Sequence, residues 1–199
     1  NGDLNILANT GSILIEGVND LTTGIAIARS SLSSTHTAAV RVVVGKKDGS
    51  AVTSSSSNVT IRDNSFNYDR VGDGRITIDS TGVLALEPYS SFGSTLTFDG
   101  TNSSNNYTMS DSLVGMVVNS LNNLTGLTIG KDGNTSDVVL DEAISIAGPV
   151  TVYGDNVTVA EDLDTSSGNG AITLSASDTL TTGSGANRSI SSGSGNVNL

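Results

Sequence analysis

Along this chain a Gly, Asp or Asn turn is followed, many times over, by three to five residues in which apolar and polar side chains alternate. Asn58-Val59-Thr60-Ile61-Arg62, Gly74-Arg75-Ile76-Thr77-Ile78-Asp79, Ser94-Thr95-Leu96-Thr97-Phe98-Asp99-Gly100, Gly126-Leu127-Thr128-Ile129-Gly130 and Asn169-Gly170-Ala171-Ile172-Thr173-Leu174-Ser175-Ala176 share one centre: a Thr between two apolar residues. Successive side chains of a strand point to opposite faces, so Ile76 and Ile78 share one side and Thr77 takes the other. The pattern predicts many short strands, each with a core face and a solvent face.

Spacing narrows the kind of β protein. Val59, Ile76 and Leu96, and then Leu127, Val150 and Ile172, follow one another at roughly 17 to 23 residues, a repeat length typical of solenoid coils. A single coil cannot bury its apolar face alone, so the coils must stack, with Val, Ile and Leu above their equivalents. The predicted fold is therefore an all-β parallel β-helix, or β-solenoid. Tandem β-sandwich modules are the alternative, because the signals at Ile144, Val150 and Val157 lie as close together as sandwich strands do. Aromatics make up only 4% of the chain, which suits a narrow stacked core of small aliphatics better than a sandwich.

Further strand signals lie at Leu4 to Leu7, Ser12 to Glu16, Ile25 to Ala28, Ala39 to Val44 and Val83 to Glu87, where Pro88 closes the last because it cannot donate to a ladder. The polar stretches Ser30 to Thr37, Thr53 to Ser57 and Thr101 to Asn106 read as loops projecting from coils. Between Ser110 and Leu124 the period changes: Leu113, Val117, Leu121 and Leu124 recur at helical spacing, with Ser110 or Asp111 placed to cap. A short helix is expected there. It would divide one solenoid section, residues 1–199, into sub-sections 1–109 and 125–199 around an insertion at 110–124.

Composition adds bounds. The 199 residues, 36% hydrophobic and 15% charged, suffice for one domain or about nine coils, and Ser, Thr and Asn provide most of the polar surface. Cysteine is absent, as is common in bacterial exported chains. No apolar run approaches a membrane span, so no membrane insertion by this segment is expected. The pattern is under way at Asn1-Gly2-Asp3-Leu4 and still running at Val197-Asn198-Leu199, so a segment of a longer chain is expected. Seven acids and seven bases fall in residues 1–75, but thirteen acids against Lys131 and Arg188 in residues 76–199, which therefore carry all of the net charge of −11. With Lys46-Lys47 the one basic pair, a nucleic-acid partner is not expected.

Candidate chemistry is sparse. His36 is the sole histidine, set in a Ser/Thr-rich loop, and no Gly-x-Ser-x-Gly elbow accompanies it. Polysaccharide cleavage needs two carboxylates on one face, one acid and one base or nucleophile. Asp141-Glu142 and Glu161-Asp162 with Asp164 are the candidates, and only Asp162 and Asp164 alternate so as to share a face. Asp132-Gly133-Asn134 with Asp137, and Asp69 with Asp73, offer oxygen ligands for Ca²⁺ without the spacing of a Ca²⁺ loop, and such residues are first of all turn formers. Sequons stand at Asn58, Asn102, Asn106, Asn123, Asn134, Asn156 and Asn187. No catalytic, cofactor-binding or metal-binding residue is assigned.

The run Asn123-Leu124-Thr125-Gly126-Leu127-Thr128-Ile129-Gly130, with Ala143-Ile144-Ser145-Ile146-Ala147-Gly148-Pro149-Val150-Thr151-Val152-Tyr153-Gly154 and Gly170-Ala171-Ile172-Thr173-Leu174-Ser175-Ala176, resembles the repeats of giant bacterial surface adhesins. These are the filamentous-haemagglutinin-like and related β-strand-repeat proteins. The resemblance covers residues 123–176 and, in style, the rest. It implies a right-handed parallel β-helix, secretion to the outside of a bacterial outer membrane, and a role as structural stalk or adhesive section. Its partners would be glycans or proteins of a host, a neighbouring cell or a matrix, and flanking repeats of its own chain. A carbohydrate-active β-helix enzyme, a hydrolase or lyase, is the alternative function.

Overall fold

The computed structural model describes residues 4–7, 12–16, 41–48, 51–53, 58–62, 75–78, 81–88, 91–92, 95–99, 106–109, 116–119, 123–183 and 187–199. Within them the chain forms eighteen strands, numbered here in chain order, and no helix. No described helix is therefore long and apolar enough to cross a membrane.

One all-parallel ladder runs through the molecule. It joins β2 (Ser12–Glu16), β5 (Asn58–Arg62), β7 (Val83–Glu87), β11 (Gly126–Ile129), the first half of β14 (Val150–Val159), the first half of β16 (Ile172–Thr182) and β18 (Val197–Asn198). Its register stacks like on like: Val59, Leu84, Leu127, Val150 and Ile172 form one column, and Ile61, Leu86, Ile129, Val152 and Leu174 the next. Every member of both columns is at most 1% exposed. Between them Thr60, Thr128, Thr151 and Thr173 face outward, half-buried by their neighbours above and below. Each aliphatic side chain gains about 1.5–3 kcal/mol from burial, but only once the next coil covers it.

A second parallel ladder joins β8 (Leu96–Asp99), β12 (Val138–Asp141) and the second halves of β14 and β16. It buries Leu96, Phe98, Val138, Leu140, Val157 and Val159 in the same core as the first. β14 and β16 thus run along two sides of the coil, and their pairing changes register between Gly154 and Asn156, where the chain turns the corner. A third, short ladder of β13 (Ile144–Ser145), β15 (Leu163–Asp164) and β17 (Ile190–Ser191) closes the coil, with Ile144 and Leu163 inside. The result is a parallel β-solenoid, its best-formed part the four turns built on β8, β12, β14 and β16. The parallel rungs decide against β-sandwich modules.

Toward the N-terminus a further parallel ladder joins β1 (Leu4–Leu7), β3 (Arg41–Asp48), β6 (Arg75–Ile78) and β10 (Met116–Asn119). β9 (Asn106–Met109) lies antiparallel between β10 and β8, and β4 (Ala51–Thr53) folds back on β3.

Two expectations are corrected. Within the stretch Ser110 to Leu124, where a helix was expected, the described residues Met116–Asn119 form the strand β10 instead, because the β-branched pair Val117-Val118 finds ladder partners in β6 and β9, which outweigh a helical spacing of leucines and valine. β7 pairs directly with β11, so the first ladder runs on across the expected division. Val59, Ile76 and Leu96 are also not equivalents. Val59 stacks on Leu84, while Ile76 and Leu96 belong to two other ladders. Leu127, Val150 and Ile172 do stack as expected.

Candidate functional site

The surface that the coils build is a set of rows. Outward residues repeat at the strand spacing of about 4.8 Å, so on the first ladder Thr128, Thr151 and Thr173 form one line that ends at Asn198, whose amide donates to Thr173 Oγ1 over 3.3 Å. On the second ladder Thr97, Val139, Thr158 and Thr181 form another, with Thr158 Oγ1 and Thr181 Oγ1 hydrogen-bonded at 3.1 Å. Asp137, Asn156 and Thr179 run beside it, and Asp137 Oδ1 accepts from both the main-chain N–H and the side-chain amide of Asn156. Hydroxyl, amide and carboxylate groups at a fixed pitch make a hydrogen-bonding array of the kind that suits a hydroxyl-rich ligand.

Three of the carboxylates singled out for cleavage chemistry, Glu161, Asp162 and Asp164, are held in structural bonds. Glu161 meets Arg188 in a two-pronged ion pair, both N–H···O distances 2.8 Å, with the side chains 37% and 21% exposed. Asp162 and Asp164 flank the buried Leu163, so they do share the outer face. Asp162 Oδ1 accepts from Ser189 N at 2.8 Å, one coil on, and Asp164 Oδ1 accepts from Ser166 N at 2.8 Å. Hydrogen bonds from the side chain and then the main chain of Ser166 hold the Asp164 carboxyl below its ordinary range, against a small opposing effect of burial. Asp141 is exposed and Glu142 half-buried next to it.

The oxygen-rich stretch around Asp132 turns a corner. Asn134 N donates to Lys131 O at 3.0 Å, and Gly133 takes a positive φ of 82°. Asp132 is exposed, Asn134 is buried, and Asp137 is engaged with Asn156, so the three do not converge. Among the described residues no three acidic or histidine side chains gather where they could hold a metal ion. His36, Asp69, Asp73, the loop Ser30 to Thr37 and residues 101–105 of the expected loop Thr101 to Asn106 lie outside the described residues, as does the strand signal at Ile25 to Ala28, while Asn106 opens the strand β9.

Sequence reasoning missed the side-chain ties between coils. Asn134 Oδ1 accepts from Ser91 Oγ at 3.0 Å and Phe92 N at 3.2 Å, while its amide donates to Tyr153 O at 2.9 Å. Ser177 Oγ donates to Asp155 Oδ1 at 2.6 Å. The partners lie about one coil apart or further, so no local motif marks them. Compared with protein families, with curated proteins and with solved structures, the chain matches none.

Proposed function

We propose that this chain is a structural stalk or presenting section of a secreted bacterial surface adhesin, outside the outer membrane. The observation that carries the reading is the uninterrupted first ladder, in which like residues stack coil after coil and whose last rungs leave a polar row of Thr128, Thr151, Thr173 and Asn198 outside. Main-chain ladders of this kind make a stiff body, and the rows and corner loops are free to meet another surface. Its partners would be glycans or proteins of a host, a neighbouring cell or a matrix, together with flanking repeats of its own chain. The acidic charge of residues 76–199 favours neutral or basic ligands over nucleic acid.

The test is adhesion. Beads coated with the folded polypeptide should be retained on a panel of neutral glycans and matrix proteins, and replacing Thr128, Thr151 and Thr173 together by Val, which removes the hydroxyls but keeps the shape, should reduce retention without loss of β-structure by circular dichroism. Release of reducing ends or unsaturated sugars from a polysaccharide panel, abolished by Asp162→Asn or Asp164→Asn, would overturn the reading in favour of a carbohydrate-active β-helix.

A further inference from the structure

Tyr153 puts an aromatic ring on the outside of the coil. Phe92 and Phe98 lie in the core, 5% and 0% exposed, whereas Tyr153 falls between the buried Val152 and Gly154 of β14 and so stands on the outer face, half-buried. Its neighbours along the ladder column are small. Gly130, in the coil before, comes so close that a Cβ there would lie 2.3 Å from the Tyr153 carbonyl oxygen, and its φ of +80° is one that favours glycine. Ser175, in the coil after, pairs with Tyr153 and is exposed. With a hydrogen atom on one side and a hydroxymethyl group on the other, the column carries nothing large enough to cover the ring.

Two residues back along the same strands, about 7 Å away, runs the hydroxyl row of Thr128, Thr151 and Thr173. A sugar chain needs both features at once. One face of a pyranose presents slightly positive C–H groups, which pack on the negative face of an aromatic ring, while its hydroxyls need donors and acceptors at the edge. Resting on the reading of these rows as a presenting surface, we infer that Tyr153 is the stacking platform of a binding site for a neutral oligosaccharide. The chain of sugars lies along the column of Gly130, Tyr153 and Ser175, with one ring on Tyr153 and the hydroxyl edge turned to the Thr row. Charge selects the ligand class: residues 76–199 hold thirteen acids against Lys131 and Arg188, so a uronic or sulfated polymer is repelled. Tyrosine suits the place because a rigid ring with two side-chain torsions loses little freedom on binding.

Calorimetric titration of the folded polypeptide with cellohexaose, maltohexaose and xylohexaose, and with polygalacturonate as the charged control, tests the site. At least one neutral hexasaccharide should bind, and polygalacturonate should not. Tyr153→Phe keeps the ring and should bind within about threefold of wild type, whereas Tyr153→Ala should weaken binding about tenfold or more with β-structure retained by circular dichroism. The contact is also read in the wild-type chain, whatever the fate of Tyr153→Ala: with ¹³C-labelled tyrosine rings, the one signal of four that is missing from Tyr153→Phe should shift on titration. Equal binding by wild type and a folded Tyr153→Ala, an unmoved Tyr153 signal, or stronger binding of polygalacturonate would each overturn the site and leave the presenting surface standing. Retention of coated beads on matrix proteins with no hexasaccharide bound would overturn it too, and make this face a protein contact. Failure of the beads to adhere to any glycan or protein would overturn both readings.

Discussion

Asn134 donates its side-chain amide to the main-chain carbonyl of Tyr153, one coil further along, over 2.9 Å. The same side chain, only 3% exposed, accepts from Ser91 and Phe92 of the coil before, so one residue ties three successive coils through a buried polar point. Replacing it by Ala removes donors and acceptors from buried main chain at a cost of about 2–4 kcal/mol. Asn134→Asp should be worse, since an acceptor then faces the Tyr153 and Ser136 carbonyls. Urea unfolding midpoints measure both, with Asp132→Asn, on the exposed corner beside it, expected to stay within about 0.5 kcal/mol of wild type.

The alternation itself can be tested at adjacent positions. Ile129 is fully buried between Leu86 and Val152 of its neighbouring coils, whereas Thr128 faces out. Ile129→Asp should cost several kcal/mol, by placing an unpaired charge in a dry core. Thr128→Val should change stability by no more than about 0.5 kcal/mol. Similar thermal midpoints for the two variants would contradict the inward and outward assignment.

The strands were legible in the sequence because their signal is local: Asn58–Arg62 and Val83–Glu87 coincide with the alternation that predicted them. The phase of the coil was not. Corner lengths vary, as the connections from β12 to β14 and from β14 to β16 differ, so counting residues assigned Ile76 and Leu96 to the wrong ladder. The strand Met116–Asn119 was hidden because Leu113, Val117, Leu121 and Leu124 mimic a helical face, and only ladder partners distant in sequence reveal it. Of the candidate surface, the outward Thr row was readable from the triplets, but not the Arg188 to Glu161 pair or the Asn134 ties, whose partners share no local pattern.

Glycine at the corner before a core strand is required by close packing. A Cβ on Gly170 would lie 2.3 Å from the carbonyl oxygen of Gly148 in the coil below, and Gly148 is itself crowded by the Thr125 carbonyl. Both obstacles are backbone and cannot swing aside, so Gly170→Ala should cost about 1–3 kcal/mol by overpacking. Gly133→Ala is the comparison: it meets nothing within 4 Å and carries only the strain of a positive φ, about 1 kcal/mol. Chemical denaturation that ranks Gly133→Ala as the more damaging would show that the corner is looser than this.

Acid should weaken the third side of the coil. The Asp164 carboxyl is held below its usual value of 3.8 by the hydrogen bonds of Ser166. A carboxylate with a lowered folded-state value contributes stability above the unfolded-state value, and loses it as pH falls through the folded-state value. Stability should therefore be level through neutral pH and decline below about pH 4. Asp164→Asn should flatten part of that decline. An acid profile unchanged in the variant would mean that the Ser166 bonds are not kept in solution.

The sequons are sorted by burial. Asn123 and Asn187 are exposed, so a transferase has access to their amides. The Asn134 amide is buried and spent on Tyr153 and Ser136, and the Asn156 amide donates to Asp137 at 2.8 Å. Attaching a sugar at Asn134 would remove hydrogen bonds and force a bulky group between coils, which the close-packed core does not admit. When the folded polypeptide is treated with an N-glycosyltransferase and mapped by mass spectrometry, occupancy should be found at Asn123 and Asn187, little at Asn156 and none at Asn134. Equal occupancy at Asn134 and Asn187 would mean that the corner opens readily. The three-coil tie would then be too weak to hold neighbouring coils in register, and Asn134→Ala should cost almost nothing.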